Sequence, residues 1–318
     1  MSMGSSIMLV DGLNLYTRHF VANPSMSDLG HHVGGTVGFL KSIQLLSDKI
    51  NPSQICVIWE GGGSSRRRSI FPGYKKGRKP QKLNRFYGND IPSTVENRNY
   101  QLAFIIELLK HTPVKQFYID SCEADDIIGF LVKNTYKKNS VTIVSSDKDY
   151  YQLINENVTQ WSPGQKRFIR PQSVVEKFHI PVHNFCAARC FVGDASDCID
   201  GIKGAGFKTM AKRFPELIGP DELSVGDIIS ISKNMQENSN VKLYSRISVS
   251  PEIPLRNWRL MYLDIKNLSA SQISKVKTLA DTSSYKRDKI GFMRALMREG
   301  IRIFDTDSFF LSLNSITP

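Results

Sequence analysis

Short apolar runs that each stop at an acid set the tightest limit on how this chain can fold. Ile7-Met8-Leu9-Val10 runs into Asp11, residues 55–59 run into Glu60, and Val141-Thr142-Ile143-Val144 is followed closely by Asp147 and Asp149. Runs of that length and β-branching suit strands covered on both faces, which means a parallel sheet packed between helices. An acid just beyond such a strand projects at the sheet's C-terminal edge, so several strands ending this way bring their acids together. Five blocks fit the pattern: Asp11; Glu60; Glu123, Asp125 and Asp126; Asp147 and Asp149; Asp194 and Asp197. Any one block also fits an ordinary strand end or helix N-cap; five in succession point to a site. Crowded carboxylates repel unless a cation holds them, and hard oxygen ligands favour Mg²⁺ or Mn²⁺.

A chain of 318 residues with 41% hydrophobic composition can bury a large core, as one elaborated domain or two lobes. The start, Met1 to Ser6, is small and polar, and Asp11 interrupts the apolar run behind it, so neither a signal peptide nor a membrane span is expected and the protein reads as intracellular. Five cysteines without paired spacing fit reduced thiols. His183, Cys186 and Cys190 imitate a zinc set on one helical face, yet no CxxC pair or second cluster completes it, and they read as packing residues. A net charge of +12 sits oddly with an acidic centre unless the basic residues lie elsewhere and face a polyanion, for which nucleic acid is the obvious candidate. The excess is local: Arg66-Arg67-Arg68, Lys75-Lys76-Gly77-Arg78-Lys79, then Lys82 and Arg85.

Strands are expected at 7–10, 55–59, 116–119 and 141–145, and helices near 36–49, 97–111 and 123–137, an alternation that predicts an α/β fold with a central, mainly parallel sheet. About three dozen residues rich in Lys, Arg, Gly and Pro separate the second strand from the next long helix, and loops that long are usually functional. Residues 158–170 read as a hairpin turning at Pro163-Gly164. Beyond it the pattern becomes mostly helical; residues 219–257 resist placement, and 285–299 read as an amphipathic helix. No internal repeat is present.

Glu123-Ala-Asp-Asp126 opens a helix, with Glu123 and Asp126 three apart on one side. Ser145-Ser146-Asp147-Lys148-Asp149 is a turn carrying two acids. Such a ligand supply suits a two-ion phosphodiesterase centre, in which ions about 4 Å apart touch one phosphate. Gly193-Asp194-Ala-Ser-Asp197-Cys-Ile-Asp-Gly201-Ile-Lys203-Gly204-Ala-Gly206-Phe-Lys208-Thr209 has glycines whose tight turns expose backbone N–H groups to phosphate. It nearly spells a nucleotide-binding P-loop, but Phe207 separates Gly206 from Lys208 and no strand clearly precedes it.

In this order the blocks resemble the 5′-nuclease family: flap endonucleases, the 5′-nuclease domain of bacterial DNA polymerase I and, most similar, bacteriophage 5′-to-3′ exonucleases of the ribonuclease H type. The resemblance runs from Val10-Asp11-Gly12 to at least Thr209 through Arg67 with Phe71-Pro72-x-Tyr74-Lys75-x-x-Arg78, Glu123-Ala-Asp-Asp126, Ser146-Asp147-x-Asp149 and Gly193-Asp194-x-x-Asp197; Trp161-Ser162-Pro163 leans toward the phage branch. It implies a PIN-like nuclease core over 1–180 with a basic helical arch at about 78–98, and a helical DNA-binding region over 181–318 with a helix–three-turn–helix at about 193–214. It implies two Mg²⁺ ions, for which Mn²⁺ can substitute, one held by Glu123 and Asp125 with Asp11 and Glu60 in support and the other by Asp147, Asp149, Asp194 and Asp197, with Asp126 near both. Lys75, Arg78 and Arg67 fall on its catalytic cations, and Lys203, Gly204, Gly206, Lys208, Thr209, Lys76 and Lys79 on DNA contacts, with K⁺ at the glycine turns. Its implied partners are DNA with a 5′ flap, nick or RNA primer and replication proteins such as a single-strand-binding protein or sliding clamp, met by a monomer in the cytoplasm during replication or repair. Glu60 stands where the family usually has Asp, and Cys198 and Asp200 where Asn and Pro are common. Glu60 keeps open the alternative of a junction-binding protein that no longer cuts; a PIN-like single-strand ribonuclease is the other, against which the glycine block and long basic segment argue.

Overall fold

The computed structural model describes residues 5–77, 94–282 and 286–316. Arg78, Lys79 and most of the expected arch lie outside the described residues. Six strands, β1 (Ser6–Asp11), β2 (Gln54–Trp59), β3 (Lys115–Tyr118), β4 (Ser140–Val144), β5 (Val158–Ser162) and β6 (Arg167–Ile169), form one sheet in the order β3-β2-β1-β4-β5-β6. Every neighbouring pair is parallel except β5–β6, the expected hairpin. The strand order therefore reverses between β1 and β4, and in such sheets the crevice beyond the strand C-termini at that point is where ligands bind.

The helices are α1 (Gly12–Ala22), α2 (Gly34–Ile50), α3 (Ser65–Ile70), α4 (Thr94–Leu109), α5 (Ala124–Phe130), α6 (Pro171–Phe178), α7 (Val182–Val192), α8 (Phe207–Arg213), α9 (Val225–Glu237), α10 (Lys242–Val249), α11 (Glu252–Met261), α12 (Ala270–Asp281), α13 (Lys289–Arg298) and α14 (Thr306–Ser312). The expected helix 123–137 is α5 continued by a π-helical turn over Leu131–Thr135. Residues 219–257, which resisted placement, are α9, α10 and α11.

Successive strand residues point to opposite faces, and both faces are covered. Met8, Val10, Ile55, Val57 and Trp59 pack under α1, α2 and α4, while Ile7, Leu9, Cys56, Ile58, Phe117, Val141 and Ile143 pack under α5 and α12. A third core, around Phe191, Met210, Phe214, Ile228 and Ile247, belongs to α7–α11, and buries Cys186 and Cys190 as packing residues. The third core ends with α11. Leu263, Leu268 and Val276 return to the α5 face, and Phe292, Phe309 and Ile316 to the α2 face, because the sheet has more apolar surface than the first 180 residues cover. Among the described residues no helix is long and apolar enough to cross a membrane.

Candidate active site

Asp11 ends β1 and caps α1, its Oδ1 accepting the Asn14 N–H at 3.1 Å. Its Oδ2 accepts from the Ser145 hydroxyl at 3.1 Å and from the Tyr150 hydroxyl at 3.2 Å, which ties the ends of β1 and β4 together. Glu60 follows β2 and reaches the Ala124 N–H at the start of α5. Asp147 and Asp149 stand on the turn after β4, where the Asp149 N–H donates to Asp147 Oδ1 at 2.9 Å. These acids, with Glu123, Asp125 and Asp197, line one cleft of about 710 Å³ beyond the C-terminal edge of the sheet. Lys75 enters it from the turn after α3, its backbone N–H donating to the Asp197 carbonyl and its side chain a quarter exposed.

The charge of this cleft is only partly balanced. Burial, and then the neighbouring Asp147 carboxylate, push Asp11 up to about 6 against the helpful Asn14 N–H. Burial and Asp11 push Glu60 up to about 7. Burial likewise raises Asp149 to about 7, although Arg189 pulls the other way. Glu123 is the exception: burial acts upward, but Arg67 and Lys75 outweigh it and hold its pKa below the usual value. Glu123 Oε2 accepts from Arg67 at 2.9 Å and from the Tyr74 hydroxyl and Lys75 Nζ at 2.8 Å each.

Three expectations about individual residues change. Arg67 does not face the cleft. It is 1% exposed, it lies behind the acids, and its guanidinium donates five hydrogen bonds to Glu123, Asp125 and Asp126 and one to the Leu260 carbonyl. With its donors committed to these partners it stands as a buried counter-ion to the acids. Asp126 is turned away too: both oxygens bond Arg67, Oδ1 also accepts from Asn267, and the residue lines a separate pocket with Ser64 and Arg66. Asp194 sits beside the cleft without lining it, bonded to Arg189 at 2.5 Å and to the Ser196 N–H and hydroxyl. The expected acids thus share a neighbourhood, but no group of three or more converges tightly enough to hold a metal ion among the described residues.

The glycine block joins α7 to α8. A Cβ on Gly201 would lie 2.2 Å from the Val192 carbonyl oxygen, and Gly193 has φ +80° with Gly201 N 2.5 Å from its would-be Cβ, so only glycines let this loop fold against the end of α7. Lys203, Gly204, Gly206 and Lys208 are exposed along it, Thr209 is half-buried, and Lys76 is exposed on the turn near Cys198. The carbonyls of Asp200 and Lys203 already accept from Asn257, Arg256 and Arg246, which leaves fewer oxygens for the K⁺ that the resemblance implies. Missed from sequence were Arg189 and the carboxylate-holding hydroxyls of Tyr74 and Tyr150, whereas Arg98, at the end of the expected arch, lines the cleft from α4. A lone charge in the apolar run of α7 was the available signal for Arg189.

Fold and cleft together describe an α/β protein whose acids gather where its mainly parallel sheet reverses strand order. Residues 6–179 match the family model described as 5′-3′ exonuclease, N-terminal resolvase-like domain, and the chain belongs to that family. It is 29% identical over 284 residues to a 5′-3′ exonuclease of Buchnera aphidicola, covering 85% of this chain and 86% of that one. It is also 29% identical to DNA polymerase I of Bacillus subtilis, covering 70% of this chain but 24% of the polymerase. Among solved structures, the T5 D15 flap endonuclease in complex with DNA and metal ions superposes with a TM-score of 0.69 at 22% identity, over 87% of this chain and 98% of that chain, and so shares the fold.

Proposed function

We propose that the chain is a divalent-metal-dependent, structure-specific 5′ nuclease that hydrolyses phosphodiesters near the 5′ ends of flaps, nicks or RNA primers in cytoplasmic DNA. The observation that carries the reading is the meeting of seven carboxylates and Lys75 in one cleft at the reversal point of the sheet. The donor set suits hard cations: oxygen ligands only, several raised in pKa as crowded buried anions, and Asp149 Oδ1 buried with no hydrogen-bond donor. Asp11, Glu60, Glu123 and Asp125 would hold one ion, and Asp147, Asp149 and Asp197 another, each set closing in from the wider spacing it has in this structure. When bound, such ions lower the pKa of water and stabilise a leaving oxygen.

The chain's own groups do the positioning. Ser145 and Tyr150 fix the Asp11 carboxylate, and Tyr74 fixes Glu123. Lys75 Nζ, bonded to Glu123 and open to the cleft, is placed to neutralise charge growing on a phosphoryl oxygen. The exposed lysines of the α7–α8 connection, read as a helix–three-turn–helix, support a grip on the duplex backbone that senses shape and not sequence. Glu60 lines the same cleft as the other acids, which favours an active enzyme over a junction-binding protein.

A labelled 5′-flap duplex tests this. The parent should cut it in Mg²⁺ and not in EDTA, and Asp147→Ala and Lys75→Ala should each lose roughly a hundredfold or more in turnover. Lys75→Ala should still bind the duplex. Binding without cutting in Mg²⁺ or Mn²⁺ would replace this reading with the junction-binding one, and cleavage of RNA alone with the ribonuclease.

A further inference from the structure

Each group of acids has a resident arginine, and the two arginines are not held alike. Arg67 is sealed behind Glu123, Asp125 and Asp126 by aligned hydrogen bonds. Arg189, 6% exposed in α7, stands between two loops. Its Nε lies 2.9 Å from Asp149 Oδ1 on the turn after β4, and its Nη2 lies 2.5 Å from Asp194 Oδ2 in the glycine block. The Asp194 contact is a true hydrogen bond. The Asp149 contact is not: Arg189 Nε and Asp149 Oδ1 are both buried, close and opposite in charge, yet neither has an aligned hydrogen-bond partner. Buried polar atoms of this kind are rare in folded proteins, and a bound ion is one of the partners that satisfies them. Asp149 also faces Asp147, Asp194 and Asp197, so one guanidinium serves a group that carries more negative charge than it can cancel.

We propose that Arg189 is a built-in counter-ion that competes with a divalent cation for Asp149, so that the ion held by the Asp147–Asp149–Asp197 side binds only as the guanidinium withdraws onto Asp194. The proposal rests on the nuclease reading above. It makes Arg189 a positioning residue, and it gives the two ions unequal affinities, because Arg67 stands behind its acids while Arg189 stands between its own. A unit positive charge a few ångströms from a dication disfavours binding by about tenfold or more even at the high effective dielectric of a protein surface. A purely structural bridge predicts the opposite sign, since losing it would loosen the two loops and weaken binding.

Mn²⁺ binding to the DNA-free protein decides between them, read by calorimetry and by the electron paramagnetic resonance of free Mn²⁺. The parent should show a tighter and a weaker class of site. In Arg189→Gln the weaker class should tighten about tenfold with the tighter class unchanged, and Arg189→Lys, whose single ammonium cannot span both acids, should fall between. Unchanged or weaker binding in a folded Arg189→Gln overturns the proposal. Should that variant fail to fold, the parent carries the test: the ¹⁵Nε–H resonance absent from Arg189→Lys should shift with the weaker Mg²⁺ phase while that of Arg67 stays, and a stationary Arg189 signal at saturation overturns it. A parent that binds no Mn²⁺ sinks the nuclease reading as well, whereas a parent that binds and cuts beside an unaltered Arg189→Gln sinks the role of Arg189 alone.

Discussion

Replacing Arg67 by alanine separates a buried counter-ion from a catalytic cation. The guanidinium is 1% exposed and bonds three carboxylates, two of them 3% exposed, so its removal strands three anions in the interior behind the cleft. Breaking a buried ion pair by deleting one partner costs about 3–5 kcal/mol. Unfolding entropy of about 2.1 cal/mol/K per residue over 318 residues converts that loss into a fall of about 4.5–7.5 °C in apparent melting temperature if the chain melts as one unit. The assay is a thermal melt at pH 7.5 in EDTA. Arg67→Lys should lose less, because one ammonium keeps the charge but cannot make the fork that meets Asp125 and Asp126 with two nitrogens each. Added Mg²⁺ should restore part of the loss in Arg67→Ala, since the stranded carboxylates gain another cation. An Arg67→Ala protein that melts within about a degree of the parent in EDTA while losing its turnover would refute the reasoning and return Arg67 to the catalytic set.

Two further outcomes follow from the charges. Glu60 is raised to about 7 in the fold, above its unfolded value, so the stability it contributes is complete below about pH 4 and is lost as pH rises through 7. In EDTA, Glu60→Gln should therefore melt with the parent at pH 4.5 and gain up to about 3 kcal/mol on it by pH 7.5; a variant less stable than the parent at both pH values would contradict the shift. For DNA, Lys203→Ala with Lys208→Ala should flatten the dependence of log affinity on log salt by about 0.9 for each phosphate contact removed, read by fluorescence anisotropy from 50 to about 200 mM salt, and an unaltered slope would take these lysines off the duplex.

The sheet was legible because its signal is local. Ile7–Val10 and 55–59 are uninterrupted apolar runs, 116–119 and 141–145 are mostly apolar or β-branched, and each end lies within a residue of the strand's own. The acids were legible for the same reason, since a strand end fixes where its next residue goes. Which way a side chain turns after that is set by packing from afar. Nothing near Asp126 in sequence announces Asn267, and nothing near Arg67 announces the Leu260 carbonyl, so the turn of both side chains away from the cleft is not legible in the sequence. Helix α1 was hidden because its N-cap is Asp11, a residue already read as a ligand. In 219–257 the signals were present but short: Ser224 and Asp227 form a capping box that opens α9, and eight to thirteen polar-faced residues per helix blur the period.

The return of α13 and α14 to the sheet matters for how the protein is made. Phe292, Phe309 and Ile316 share a core with Met8 and Val10, so the cover that α1, α2 and α4 give that face of the first-made strand is completed only after nearly three hundred further residues have left the ribosome. Synthesis proceeds from the N-terminus, and contacts so distant along the chain form late. A nascent copy therefore carries Asp11, Glu60 and Asp147 well before the core beneath β1 is closed.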